Sequence, residues 1–344
     1  MKNKTNKGTP QELRLIQRRI EQLHKSVPEG KGRVETTLLL SRQKNAPFRR
    51  SLFLPYVRQA LCKSIVESNL ALERLSGKTR KAGARNEGEE IVLRNKKIWL
   101  YLEKGDGGSS KELVYIPARV NLFDVMTRYR PQRRVRAAAL PAFRALFRCY
   151  NGAYDKETRS SLRERLLQGN VTPLAFAQGR GNDILCGGRI TRMHVRGRTA
   201  RLTRQFSRRG ITIVKTVRLA QGRAAFTLEY MIINGSSAFL RGRFGIEHNI
   251  ALKDFRFNRP DAIDGLAKVV VEDREKGLRY VVSPQKKAVI WHFPVETLSL
   301  SQARPMRVYQ GLCMYVHWPI AIAPGARWRC ALTVAIEDYG DALL

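Results

Sequence analysis

Aromatic rings and hydrogen-bonding groups crowd into residues 288–319. Trp291, Tyr309, Tyr315 and Trp318 share that stretch with Glu296, Thr297 and Gln310. An aromatic ring can pack on the C–H face of a pyranose while carboxylate, amide and hydroxyl groups take its hydroxyls, so this mixture suits a sugar site. Glu247, two residues beyond Gly245 in an apolar run, is a further candidate, a half-buried carboxylate with a hydrogen-bonding role. The competing reading is that the same rings are the core of a β-sandwich. His292 and His317 could meet across neighbouring strands, although the five histidines are not spaced as ligand pairs. G-x-S-x-G, phosphate-loop and H-E-x-x-H patterns are absent, so no catalytic residue, metal site or cofactor is assigned.

The chain of 344 residues is long enough for one large β domain with a smaller unit beside it. Its five cysteines, Cys62, Cys149, Cys186, Cys313 and Cys330, are odd in number and contain no C-x-x-C pair. That usage fits reduced, buried thiols and a cytoplasmic setting. The basic start has no apolar run behind it, and no run approaches the roughly 18 residues of a membrane span. A net charge of +35 invites nucleic acid or another polyanion. The densest basic clusters, at residues 128–136 and 189–209, carry no recognition-helix or aromatic RNA-binding pattern.

The elements that would position these groups divide the chain. Leu13, Ile16, Ile20 and Leu23 repeat at helical spacing, predicting a helix over 11–27. A short helical piece is expected at 35–40, and a second helix over 54–75 with Pro55 in its first turn. This helical unit, residues 1–75, is too short to bury its own apolar faces. Residues 76–88 read as a linker. Beyond it, over 89–344, the period becomes two, with strands at 91–93, 98–102 and 113–116, hairpins at 211–219/224–233 and 268–272/278–282, and a closing strand at 327–336. Residues 121–130 read as a loop or short helix, residues 131–150 as helix or inserted loop, and 158–167 as a short helix. Pro294 is expected to end one strand and Pro319 to interrupt another. Many short strands without alternating helices predict a mainly β chain, a large antiparallel β-sandwich preceded by a small α-helical segment.

Several blocks resemble the C-terminal half of the α-amylase/4-α-glucanotransferase enzymes of glycoside hydrolase family 57. Residues 291–299 and 308–311 are similar to that family's W-x-F-P-[IV]-E-T-[VL]-S and YQG segments. Residues 244–249 resemble its F-G-x-E-x-N strand, 98–128 the first strands of its β domain, and 52–58 its LYLPHLR helix. The blocks occur in the family's order. The resemblance implies a galactose-mutarotase-like β-supersandwich, and carbohydrate contacts at Trp291, Glu296, Thr297, Tyr309, Gln310 and Glu247. In that family the catalytic Glu nucleophile and Asp acid/base belong to a barrel that precedes the helical segment, and this chain is expected to begin beyond it. Residues 43–50 also lack the Asp, Trp and His of the family's N-D-x-Y-W-H-G run, and Ser301-Gln302 replaces a usual Ser-acid pair.

The expectation is therefore a non-catalytic module. It would bind α-glucan or an oligosaccharide, or dock through residues 11–75 onto a separately encoded catalytic barrel. Two alternatives stand beside it. One is a basic scaffold for nucleic acid or another polyanion; the other is a decayed or split reading frame without selected activity.

Overall fold

A computed structural model describes residues 11–26, 54–75, 82–129, 154–185, 189–301 and 304–339. The short helix expected at 35–40, the segment 131–150, Cys149 and Cys186 lie outside the described residues.

Three antiparallel sheets build the molecule. The first is a meander of β1 (Gly83–Glu87), β2 (Glu90–Arg94), β3 (Ile98–Glu103), β4 (Ser109–Tyr115) and β5 (Val120–Asn121). Strand β1 thus occupies the end of the span read as linker. The second sheet has six strands in the order β13 (Asp261–Leu266), β16 (Ala288–Ser301), β17 (Arg304–Ile322), β12 (Leu240–Ile250), β6 (Arg163–Gln168) and β7 (Asn182–Asp183). The third has seven, ordered β14 (Val269–Asp273), β15 (Leu278–Pro284), β18 (Arg327–Asp338), β11 (Ala225–Asn234), β10 (Ile211–Leu219), β9 (Thr199–Phe206) and β8 (Arg189–Arg196).

Alternation explains how they pack. Ile91, Leu100 and Leu113 from the first sheet, Ile246, Ile290 and Val316 from the second, and Leu202, Ile213 and Phe226 from the third join one buried core. The seven-stranded sheet is the common back layer. The other two lie before it, joined at their margin by the Ser110–Ser161 bridge. This is the β-sandwich that the strand spacing predicts.

The helices α1 (Gln11–Ser26) and α2 (Pro55–Leu75) form where periodicity and Pro55 place them. They cover the outer face of the first sheet, where Val66 packs with Val92, Trp99, Tyr101 and Val114. Arg19 of α1 bridges Glu90 and Glu112 and lies 3.9 Å over the Tyr101 ring. Leu15, Ile20 and Leu23 of α1 are buried against the rest of the chain.

Other sequence expectations also need correction. Residues 158–167 do not form a helix: Arg163–Gln168 is strand β6. The inward position between Leu162 and Leu166 is Glu164. That carboxylate is buried against Lys215 at 3.0 Å and Arg204 at 2.6 Å, and a charge at a core position conceals the period of two. Pro294 and Pro319 do not break their strands. β16 and β17 form one long hairpin in which Pro294 pairs with Leu312, and Pro319 on β17 pairs with Arg243 on β12. Each proline stands where one flank of its strand has no ladder partner: β13 pairs no further than His292, and β16 reaches no further along β17 than His317. A missing N–H is tolerated on such a flank.

Candidate functional site

The six candidate residues fall into three places. Trp291 and Glu247 share the outer face of the six-stranded sheet. Register sets Arg163, Glu247, Tyr315 and Trp291 side by side across β6, β12, β17 and β16. Thr297 and Gln310 lie elsewhere, in a buried knot where Gln310 Nε2 donates to Thr297 Oγ1 (2.7 Å) and Arg58 Nη2 donates to Gln310 Oε1 (2.8 Å). Arg58 Nε also donates to Asp124 Oδ1 at 2.8 Å. The knot ties α2 and the loop after β5 to the long hairpin; its groups are engaged with one another rather than with solvent. Glu296 and Tyr309 face each other as a third pair. The Tyr309 hydroxyl donates to the Leu252 carbonyl at 2.8 Å, and Glu296 lies 3.8 Å from Arg307. A bulge between Val295 and Glu296 shifts the alternation and separates this pair from Trp291. Nor do His292 and His317 meet: His317 is opposite Val289, whereas His292 is opposite Met314 and packs on Phe257. Trp318 belongs to the sandwich core.

The outer face of the six-stranded sheet holds the densest polar cluster. Arg165 donates to Glu247 at 2.5 Å and to Asp183 at 2.9 Å. Arg159 lies 3.6 Å from Glu247 and donates to Asn249 and Asp155, and Arg128 also reaches Asp155 at 2.7 Å. Burial alone would raise the Glu247 carboxyl. Arg165, Arg159, Arg163 and the Asn249 amide outweigh it and hold the group down to about 2. Asp155 is likewise held low, because Arg159 and Arg128 overcome its burial. Burial pushes the adjacent Cys313 thiol up, so it stays neutral.

Above this lattice stands the short helix α3 (Pro173–Ala177), capped by Thr172 Oγ1 accepting from the Ala175 N–H. It sets Phe176 4.9 Å from the Tyr315 ring and 5.9 Å from Trp291. A cavity of about 280 Å³ opens between them, lined by Phe176, Arg165, Asp183, Glu247, Glu157 and Arg180 among others. It offers fixed carboxylate acceptors and guanidinium donors beside an aromatic wall, suited to a neutral, hydroxyl-rich ligand. Two of its carboxylates, Glu247 and Asp155, are held ionised by arginines. Trp291 itself is 5% exposed and supports Phe176 from below. Arg165, Asp183 and Phe176 were missed in the sequence because three separate elements bring them together. The one local signal was the alternation of Arg163 and Arg165 around Glu164. Among the described residues no group of three His, Cys, Asp or Glu side chains could hold a metal ion.

A second cavity of about 340 Å³ lies between the two long helices and the first sheet. Its Glu112 carboxyl is pushed up by burial, but Arg19 covers it. No helix among the described residues is long and apolar enough to cross a membrane.

Residues 151–332, which carry this sheet face, match the family model for the C-terminal domain of alpha-amylase/4-alpha-glucanotransferase. The chain belongs to this family. An alpha-amylase of Pyrococcus furiosus is 24% identical over 318 residues, covering 85% of this chain and 45% of the relative. One from Pyrococcus horikoshii is 25% identical over 279 residues, covering 78% of this chain and 40% of the relative. The fold is shared with the crystal structure of a 4-alpha-glucanotransferase from Thermococcus litoralis, at a TM-score of 0.72 and 19% identity, over 96% of this chain and 50% of that one. The chain therefore spans about half the length of these relatives.

Proposed function

We propose that this family member binds α-glucan as a non-catalytic module, with the cavity beneath Phe176 as the sugar site. The observation that carries the reading is the arginine–carboxylate lattice around Glu247, beside the ring of Phe176. Hydroxyls can bridge fixed carboxylates and guanidiniums, and the ring supplies the apolar face. The family relationship favours glucan over other hydroxylated ligands. The non-catalytic part rests on electrostatics. Retaining glycoside transfer needs a protonated carboxyl about 5 Å from an ionised one, flanking the scissile bond. Here Glu247 and Asp155 are both held ionised by arginines. Transfer would then require a catalytic barrel supplied outside the residues described, docking beside α1 and α2.

The test is electrophoresis in gels with and without amylose or glycogen, at high salt and with heparin as competitor. Retardation by glucan that survives heparin is expected, and it should weaken in Phe176→Ala and Arg180→Ala. Unchanged mobility in glucan gels would sink the binding claim. Transfer of maltooligosaccharides by the purified chain would sink the non-catalytic one.

A further inference from the structure

The charge of this chain separates into two populations. Buried arginines such as Arg58, Arg159, Arg163 and Arg204 are each bound to a carboxylate. Arg192, Arg196, Arg201, Arg218, Arg327 and Arg329 are all exposed. They alternate with core residues on β8, β9, β10 and β18, so they project from the outer face of the seven-stranded sheet. None of the six forms an ion pair with a described carboxylate.

Register gives their layout. One row runs Arg192, Thr203, Val214, Met231, Arg329 across five strands. At about 4.8 Å per strand the ends are roughly 19 Å apart, and from β9 to β18 roughly 14 Å. Arg192, Arg196 and Arg201 make one ridge, and Arg327 and Arg329 the other. The floor between them carries Thr203, Val214, Thr216, Arg218 and Met231, with Glu229 as a carboxylate, and a concavity of about 690 Å³ runs from Arg201 across this floor and over Arg329 to Ser283 and Gln285. We propose that this trough is a docking surface for double-stranded nucleic acid, held through its phosphates without reading sequence.

The chemistry of the face selects that partner. Two parallel ridges of unpaired guanidinium groups match two phosphate backbones bordering a major groove about 12 Å wide, once the width of the phosphates is added. Glu229 then lies under the open groove rather than under a backbone. The outward positions of β9, β10, β11 and β18 carry no aromatic ring, and a single strand would need rings on which its bases stack. The outward apolar residues of this face, Val214, Met231 and Ile233, are buried or half-buried, so none is fully exposed to enter a lipid interface as an amphipathic membrane surface requires. Nothing on the face rises far enough to reach base edges, so binding should be driven by counterion release. This face is on the opposite side of the sandwich from the cavity beneath Phe176, and the two can be tested separately.

The experiment is fluorescence anisotropy of a labelled duplex of about 20 base pairs, titrated with the full chain across a range of salt around 0.15 M. Arg327→Glu/Arg329→Glu should weaken binding by tenfold or more and flatten the slope of log affinity against log salt by about 2. Arg192→Gln/Arg201→Gln on the opposite ridge should act in the same direction, guarding against a folding artefact of the first pair. The charge-matched control is Lys96→Glu/Lys97→Glu, at the exposed turn between β2 and β3. It should change affinity by less than about twofold. A control that loses as much as the trough variants would make the binding a diffuse effect of net charge and overturn the proposal. So would absence of duplex binding, or tighter association with phosphatidylserine vesicles than with the duplex.

Discussion

Gly245 is held to glycine by its neighbours. A Cβ there would stand 2.5 Å from His317 Cβ, 2.6 Å from the Val316 carbonyl and 2.7 Å from the Tyr315 ring. The close approach lets Tyr315 lie across β12 and donate to the Arg243 carbonyl at 2.8 Å, beside Glu247. Gly245→Ala should therefore destabilise the fold by about 1–3 kcal/mol through overpacking, read as a lower urea midpoint. A midpoint equal to that of the parent would show that the sheet gives way there at no cost. Gly311 has the same logic with a backbone component. Its φ is 153°, and a Cβ would meet the Ile250 carbonyl at 2.4 Å. These two contacts give the F-G-x-E-x-N and YQG resemblances a packing meaning, and the Arg58–Gln310–Thr297 knot does so for the L-P-Y-V-R block.

At the scale of elements, strand β6 is the informative case. Its inward residues are Glu164 and Leu166, following the buried Leu162, and Glu164 neutralises Lys215, whose Nζ also donates to the Gly108 and Leu162 carbonyls at 2.6 Å. Glu164→Leu would restore a clean alternating pattern and raise the strand's apparent quality in the sequence. It should nevertheless destabilise the protein by roughly 3–5 kcal/mol, because Lys215 and Arg204 lose their carboxylate while remaining buried. Urea denaturation decides this. A variant as stable as the parent would mean that Lys215 sheds its proton or escapes to solvent. The prolines teach the converse lesson. Local chemistry makes Pro294 a strand end and Pro319 an interruption, yet vacant flanks let β16 and β17 run through them.

For the whole molecule the buried ionisable groups predict acid lability. His248 and His317 are each lowered from 6.5 to about 3, chiefly by burial, with Lys215 adding to it at His248 and Arg243 at His317. The unfolded chain takes up these protons first, so their contribution is complete above pH 6.5 and is lost as pH falls toward 3. Glu247, at about 2 against an ordinary 4.5, contributes stability above 4.5 that is lost as pH falls toward 2. The urea midpoint should be flat near neutrality, decline below 6.5 and steepen below 4.5. In His317→Phe the first part of the decline should shrink. A midpoint at pH 4.5 as high as the one at neutrality would contradict this account. Basic charge works at the same scale: buried arginines lock the sheet face around Glu247, and exposed ones leave the opposite face strongly positive.

Period-two patterning, turn chemistry and Pro55 were enough to specify a helical segment followed by a large antiparallel β-sandwich, because hydrophobic alternation is a local property of the chain. The family was legible for a related reason: its blocks mark close contacts, such as Gly245 and Gly311, that tolerate few substitutions. The site was only partly legible. Trp291 and Glu247 lie on the sheet face beneath the candidate cavity, but Arg165, Asp183 and Phe176 come from distant segments that meet only in the fold. Thr297 and Gln310 have side chains suited to sugar, yet the tertiary structure turns them inward against Arg58. Which polar groups remain available to a ligand depends on which ones the fold has already engaged, and that is decided by register and bulges across strands far apart in the chain.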